Sequence, residues 1–271
     1  MRFSFTQSSQ RFYAKPAEKA YLLRALCAHF LSALCVKSPV FFILLIFLSS
    51  TVTLLPAQPA LTGDAREKFR NAILRMQDKY KDLNKLHLVM SIEVSDSASA
   101  KPYLSEVADI KRNGNNYLYK FAGQEMLMND KYLLMVDRTS RQIFCNERAQ
   151  GDEIGRFDDP FIVNTDSLLQ FYGEIVYAGR TGSADHYRLH QKTGPVDQVD
   201  LFIDSASGLL KRIDYLFDDR QYVKIDFKVF NMNPSFGAEV FSEGNYLTIS
   251  KNTLVTTEPF AGYRISNVAD H

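Results

Sequence analysis

The chain has 271 residues, with 32 Lys and Arg against 31 Asp and Glu, 46% hydrophobic and 13% aromatic residues, 9 Pro, 13 Gly, 3 Cys and no Trp. That composition excludes a disordered, collagenous or disulfide-framed protein, and the near-neutral balance removes the electrostatic case for nucleic-acid binding. The charges are unevenly placed: residues 1–57 hold six bases (Arg2, Arg11, Lys15, Lys19, Arg24, Lys37) and one acid (Glu18), which leaves 26 bases against 30 acids, net −4, for residues 58–271.

No charged residue occurs between Lys37 and Asp64, and the stretch from Val40 to Leu48 is continuously apolar. A basic flank before a short apolar run is the pattern of an export signal, so the mature chain is expected to start between residues 57 and 61. A second apolar stretch, Ala25 to Val36, keeps open a signal anchor retained in the membrane. The shortness of the 40–48 run, with Pro56 and Pro59 after it, argues against a spanning helix. Cys27 and Cys35 both follow Leu and match no lipidation box, and Cys145 alone remains beyond the leader, so no internal disulfide is expected there. The organisation read from the sequence is an export leader over 1–57 and one domain over 58–271.

The domain opens with a helical period. Phe69, Ala72, Ile73, Met76 and Tyr80 recur at spacings of three and four, which predicts an amphipathic helix over 64–80. The period then becomes two: Leu86, Leu88, Met90, Ile92 and Val94 alternate along a strand whose other face is largely polar. Strands at 107–112 and 117–121 meet through Asn113-Gly114-Asn115, a hairpin signal because these residues tolerate positive φ. Further strands are predicted at 125–128, 132–136 and 142–145. A short helix is predicted at 166–172, then strands at 174–178, 186–190, 199–203, 210–217 and 221–229. Short turns between consecutive strands imply an antiparallel meander and exclude βαβ units. The fold class expected is α+β, mainly β: a single curved antiparallel sheet, a half-open barrel, with the N-terminal amphipathic helix on its concave face.

Three segments carry a family resemblance: Tyr80-Lys-Asp-Leu-Asn-Lys-Leu86, Met126 to Asp137, and Val199 to Asn231 followed by Pro234. With the order of elements, they resemble the LolA-like family of periplasmic lipoprotein carriers over residues 66 to 245. The resemblance rests on hydrophobic and turn patterns, which specify a fold better than a cargo. It implies a non-enzymatic carrier, without cofactor or metal and monomeric, that takes lipoprotein acyl chains or another lipid from an inner-membrane donor to an outer-membrane acceptor across the periplasm. A stationary lipid- or protein-binding sensor of the same fold is the alternative. The family's Lys-Arg-Pro run, whose arginine bonds lid carbonyls and holds the empty cavity shut, matches Lys111-Arg112-Asn113, with Asn in place of the proline. Arg112 is therefore the candidate lid latch; an exposed hairpin arginine is the competing reading.

The candidates to line an acyl cavity are Ile73, Leu88, Met90, Ile92, Tyr117, Tyr119, Phe121, Met126 and Met128. Methionine and aromatic side chains adapt to irregular apolar ligands, although ordinary core packing is the more common role for each of these positions. Burying one 16-carbon chain is worth ~12 kcal/mol at about 0.8 kcal/mol per CH₂. Release therefore needs an opposing term, such as a lid that refills the cavity.

Enzymatic readings find little support. His186 and His190 are four residues apart, but on a strand that separation is ~13 Å and does not chelate one metal. His87 has no nucleophile placed beside it by sequence. Ser205 and Ser207 lie in Asp-Ser-Ala-Ser-Gly and not in a nucleophile elbow. Asp158-Asp159 and Asp218-Asp219 read as solvated turn acids, and Cys145 as a small core residue.

Overall fold

A computed structural model describes residues 62–80, 83–148, 165–250 and 253–267. The export leader and the Asp158-Asp159 pair lie outside the described residues. Helix α1 spans Thr62–Tyr80 and is followed by β1 (Lys85–Ser95), β2 (Leu104–Asn113), β3 (Asn116–Phe121), β4 (Gln124–Met128), β5 (Tyr132–Asp137) and β6 (Gln142–Glu147). Helix α2 (Thr165–Phe171) leads into β7 (Tyr172–Thr181), β8 (Ala184–Gln191), β9 (Val196–Asp204), β10 (Leu210–Phe217) and β11 (Tyr222–Asn231). The chain continues through β12 (Leu247–Ser250), β13 (Thr253–Thr256) and β14 (Arg264–Asn267), with short 3-10 turns between.

β1 to β11 and β14 form one 12-stranded open sheet in the order β14-β6-β5-β4-β3-β2-β1-β11-β10-β9-β8-β7, and β12 and β13 pair separately. Two meanders, β1–β6 and β7–β11, are thus joined by the antiparallel pairing of β1 with β11. The sequence-derived architecture is the one found, a mainly β domain on a curved, unclosed sheet with the helix on its concave face. One pairing departs from the antiparallel rule: β14 runs parallel to β6, with Ile265 opposite Ile143.

Local chemistry explains the turns and the curl. Gly114, with φ of 61°, takes the first central position between Asn113 and Asn116, where a two-residue hairpin needs positive φ. Ala122 and Gly123, at 49° and 77°, turn β3 into β4 in the same way. Register shifts interrupt the ladders at Val89/Met90, Leu210/Arg212, Leu216/Phe217, Tyr172/Glu174 and Tyr177/Gly179. Each shift bends its strand and raises the local twist, which curls a long sheet.

Cross-strand partners share a face, so the register sorts the core into layers. On the concave face α1 buries Phe69, Ala72, Ile73, Met76 and Tyr80 against Ile175, Tyr187, Leu189, Val196, Val199, Ile203 and Leu210 of the β7–β10 half. On the same face of the other half, Leu86, Leu88, Met90, Ala108, Ile110, Tyr119, Phe121 and Met126 form a second cluster. On the convex face of β3–β6 a third cluster joins Leu118, Leu127, Leu134, Val136, Ile143 and Cys145 to Phe241, Tyr246, Leu247 and Phe260 of the C-terminal segment. Residues 236–250 and 253–265 therefore cover the outer face of β3–β6.

Candidate functional site

β1 to β4 hold the candidate cavity residues on one face. In register, Leu88 faces Ile110, Met90 faces Ala108, Tyr119 faces Ile110 and Met126, and Tyr117 faces Met128. The alternation that marked them in sequence places Leu88, Met90, Tyr119, Phe121 and Met126 in one buried cluster, with Ile92 and Tyr117 packed against it. Met128, also buried, sits beside Tyr117 and Leu133 in the ladder.

Ile73 is placed differently. It belongs to the cluster beneath α1, over the other half of the sheet. The two clusters are nevertheless contiguous, because Leu83, Phe227 and Phe230 pack against both. Tyr80, the last residue of α1, stacks on Phe230 with ring centroids 5.4 Å apart. An apolar path thus runs across the concave face from Met126, through Met90 and Phe227, to the underside of α1. Its polar groups are few, and burial pushes the Tyr117 hydroxyl pKa well above that of a free phenol, an effect that the nearby Arg112 charge partly offsets.

Arg112 lies opposite Leu86 and Tyr117, hence on the concave face where the β2–β3 hairpin closes. Its Nε donates to the Gly114 carbonyl at 3.3 Å, within its own hairpin. Lys111 points to the convex side and donates to Asp109 at 2.6 Å, where His87 also reaches Asp109 at 3.1 Å.

Of the histidines set aside in the sequence, His87 and His186 both have an aspartate partner. His186 stacks on Phe202, with centroids 4.3 Å apart, and pairs with Asp200 at 2.7 Å. Arg188 and Gln198 also donate to Asp200. Burial alone would raise the Asp200 carboxyl, but the hydrogen bonds from Arg188, His186 and Gln198 hold it below the usual range. Asp214 is paired with Arg212, whose guanidinium lies 4.7 Å over the Phe202 ring. The Asp204 carboxylate caps the β9–β10 turn by accepting from the Ser207 N–H and hydroxyl, and Cys145 is buried beneath the C-terminal segment, where burial raises its thiol pKa.

Sequence reasoning missed Glu125, buried on the convex face of β4. It accepts from Arg138 Nε at 2.7 Å and from the Tyr246 hydroxyl at 2.9 Å, and pairs with Lys120 at 3.0 Å. Arg138 in turn lies 5.1 Å over Phe260. The signal available was the run of aromatic residues after Pro234, which marks a segment with apolar surface to bury.

Comparison with family models and with characterised sequences found no match. Comparison with solved structures found several. An uncharacterised conserved protein from Thermus thermophilus is 8% identical, with a TM-score of 0.40 over 74% of this chain and 99% of that one. The MucA/MucB complex of Pseudomonas aeruginosa is 12% identical, with a TM-score of 0.41 over 66% of this chain and 61% of that one. The lipoprotein LppX of Mycobacterium tuberculosis is 11% identical, with a TM-score of 0.37 over 62% of this chain and 98% of that one. At such identities the functional reading has to rest on the geometry of this chain. Among the described residues no helix is long and apolar enough to cross a membrane.

Proposed function

We propose that this protein is a non-enzymatic lipid binder that holds an acyl chain on the concave face of its sheet and carries it across the periplasm, which it reaches through the leader over 1–57. The observation supporting this reading is the continuous apolar path from Met126 to the underside of α1. Nine-tenths or more of Leu88, Met90, Tyr119, Phe121 and Met126 is buried, so an acyl chain enters only by displacing the side chains that cover them. That displacement opposes the free energy of burying the chain and makes release feasible, as a shuttle between an inner-membrane donor and an outer-membrane acceptor requires. Arg112, at the closing end of the face beside Tyr117, is the candidate to hold the closed state, although its hydrogen bond in the structure is to the Gly114 carbonyl of its own hairpin.

The same burial is compatible with a stationary sensing module. Binding and release separate the two readings. The full chain should bind a fluorescent acyl probe saturably. Tyr119→Glu, which puts an unpaired charge among Ile110, Phe121 and Met126, should weaken that binding by ~10-fold or more, since an unpaired buried charge costs several kcal/mol. Arg112→Leu should bind the probe more tightly and yield it more slowly to acceptor vesicles. Absence of saturable binding to the wild-type chain would reject the carrier and favour the stationary module.

A further inference from the structure

The polar side of α1 has features that the acyl site does not use. Two open clefts meet at Arg75. One, of about 370 Å³, is lined by Arg75, Asp78 and Lys79 on the helix and by Ser205 to Gly208 in the β9–β10 turn. The other, of about 300 Å³, lies between Lys68, Asn71 and Arg75 on the helix and Tyr177, Arg180, Asp185 and Tyr187 on the β7–β8 hairpin.

The cations around these clefts are not equivalent. Lys68 pairs with Asp64 at 2.9 Å and sits over the Tyr177 ring, and Arg180 reaches Asp185 at 3.4 Å. Arg75 and Lys79, four residues apart on one side of the helix, are exposed and form no ion pair among the described residues. Across from them, the turn has already satisfied its own acid: Asp204 accepts from Ser183 and Ser207 and pairs with Lys211. Ser205 Oγ is shielded from solvent and has no hydrogen-bond partner. Gly208, at φ of 70°, lies beneath the Lys79 stem, where a side chain would meet Lys79 at 3.6 Å. Two cations with no ion pair among the described residues therefore stand over a cleft with a glycine floor, with Asp78 the one acid in its lining.

Such a set suits a phosphate group. A guanidinium offers two parallel donors to phosphate oxygens, and an ammonium adds a point charge. The location connects this cleft to the acyl path: Tyr80, next to Lys79, stacks on Phe230, which packs against both concave-face clusters. We propose that the Arg75–Lys79 cleft binds the phosphate of a phospholipid headgroup whose acyl chain enters the concave face beside Tyr80. This inference rests on the acyl-binding reading and narrows its cargo to phosphate-bearing lipids.

Titration calorimetry on the full chain with three probes tests it: a single-chain lysophosphatidylglycerol, a neutral monoacylglycerol of equal chain length, and inorganic phosphate. The wild-type chain should prefer the phospholipid to the glyceride by about tenfold, the worth of charge-assisted hydrogen bonds. Raised salt should shrink that preference. The Arg75→Ala/Lys79→Ala variant, both positions being exposed, should lose the preference and keep the glyceride affinity. Arg75→Lys should retain part of it. Equal affinity for the two lipids, or a preference that survives the double substitution, overturns the headgroup site while leaving acyl binding intact. Inorganic phosphate binding as tightly as the phospholipid overturns the lipid as the source of the anion. Failure of the glyceride to bind at all rejects the acyl reading, and failure of the phospholipid as well rejects both.

Discussion

Glu125 shows how far a single residue can depart from what its strand pattern says. Alternation along β4 correctly puts Met126 on the concave face and Glu125 on the other, and a charged residue on the other face reads as solvated. It is instead 5% exposed, because Tyr246 and Phe260 arrive from more than a hundred residues away. Burial pushes its carboxyl upward, but the hydrogen bonds from Lys120, Arg138 and Tyr246 outweigh that and hold the pKa below the ordinary 4.5. A lowered carboxyl pKa stabilises the folded chain fully above about 4.5 and loses that contribution as pH falls through the lower folded value. Glu125→Gln should therefore destabilise the protein at neutral pH by about 1–3 kcal/mol, since Arg138 and Lys120 keep much of their hydration when the carboxylate is removed. Urea melts of variant and wild type should begin to converge as pH falls below about 4.5 and come closest once it passes the lower folded value, where the native carboxylate takes up its proton. A constant gap down to pH 3 would show that the network acts through packing and not through ionisation.

At the scale of elements, legibility followed periodicity. The five α1 residues selected by a spacing of three and four, Phe69, Ala72, Ile73, Met76 and Tyr80, are all buried. The β1 residues selected by a period of two lie on the concave face with them. What alternation does not specify is which part of that face the helix covers, so Ile73 was grouped with Met90 and Tyr119 yet packs over β7–β10. The segment after Pro234 was illegible for a different reason. It buries Phe241 and Phe260 from short 3-10 turns, which impose no period on the sequence. This segment makes its own prediction. Ending the chain at Pro234 would expose Leu118, Leu127, Leu134 and Ile143, each worth about 1.5–3 kcal/mol when buried. The truncated chain should aggregate or bind a hydrophobic dye. Phe260→Ala, by removing one anchor, should cost about 3 kcal/mol in a denaturant melt. A truncated chain as soluble and stable as the full one would mean that the C-terminal segment does not stabilise the sheet it covers.

The whole molecule is two meanders joined by one seam, β1 against β11, whose partners come from opposite ends of the domain. The halves are covered asymmetrically. The first has the convex face of β3–β6 held down by residues 236–250 and 253–265, while the second has its concave face closed by α1. Phe227 and Phe230 lie at the seam and pack on both concave clusters, so an acyl chain that fills the path between them must loosen the contacts of Tyr80 and Met76 before it disturbs the clamped strands. Amide hydrogen exchange on the full chain, with and without a bound single-chain lipid, reads this directly. Exchange in α1 from Phe69 to Tyr80 should accelerate on binding by about tenfold or more, equivalent to about 1.4 kcal/mol of lost local stability. Amides in β3 to β6 should keep their rates, because the C-terminal segment fixes those strands from the opposite face. If the change falls instead on β3 to β5 while α1 stays protected, the chain lies wholly over the first meander. In that case α1 is a fixed wall of the site and not its lid.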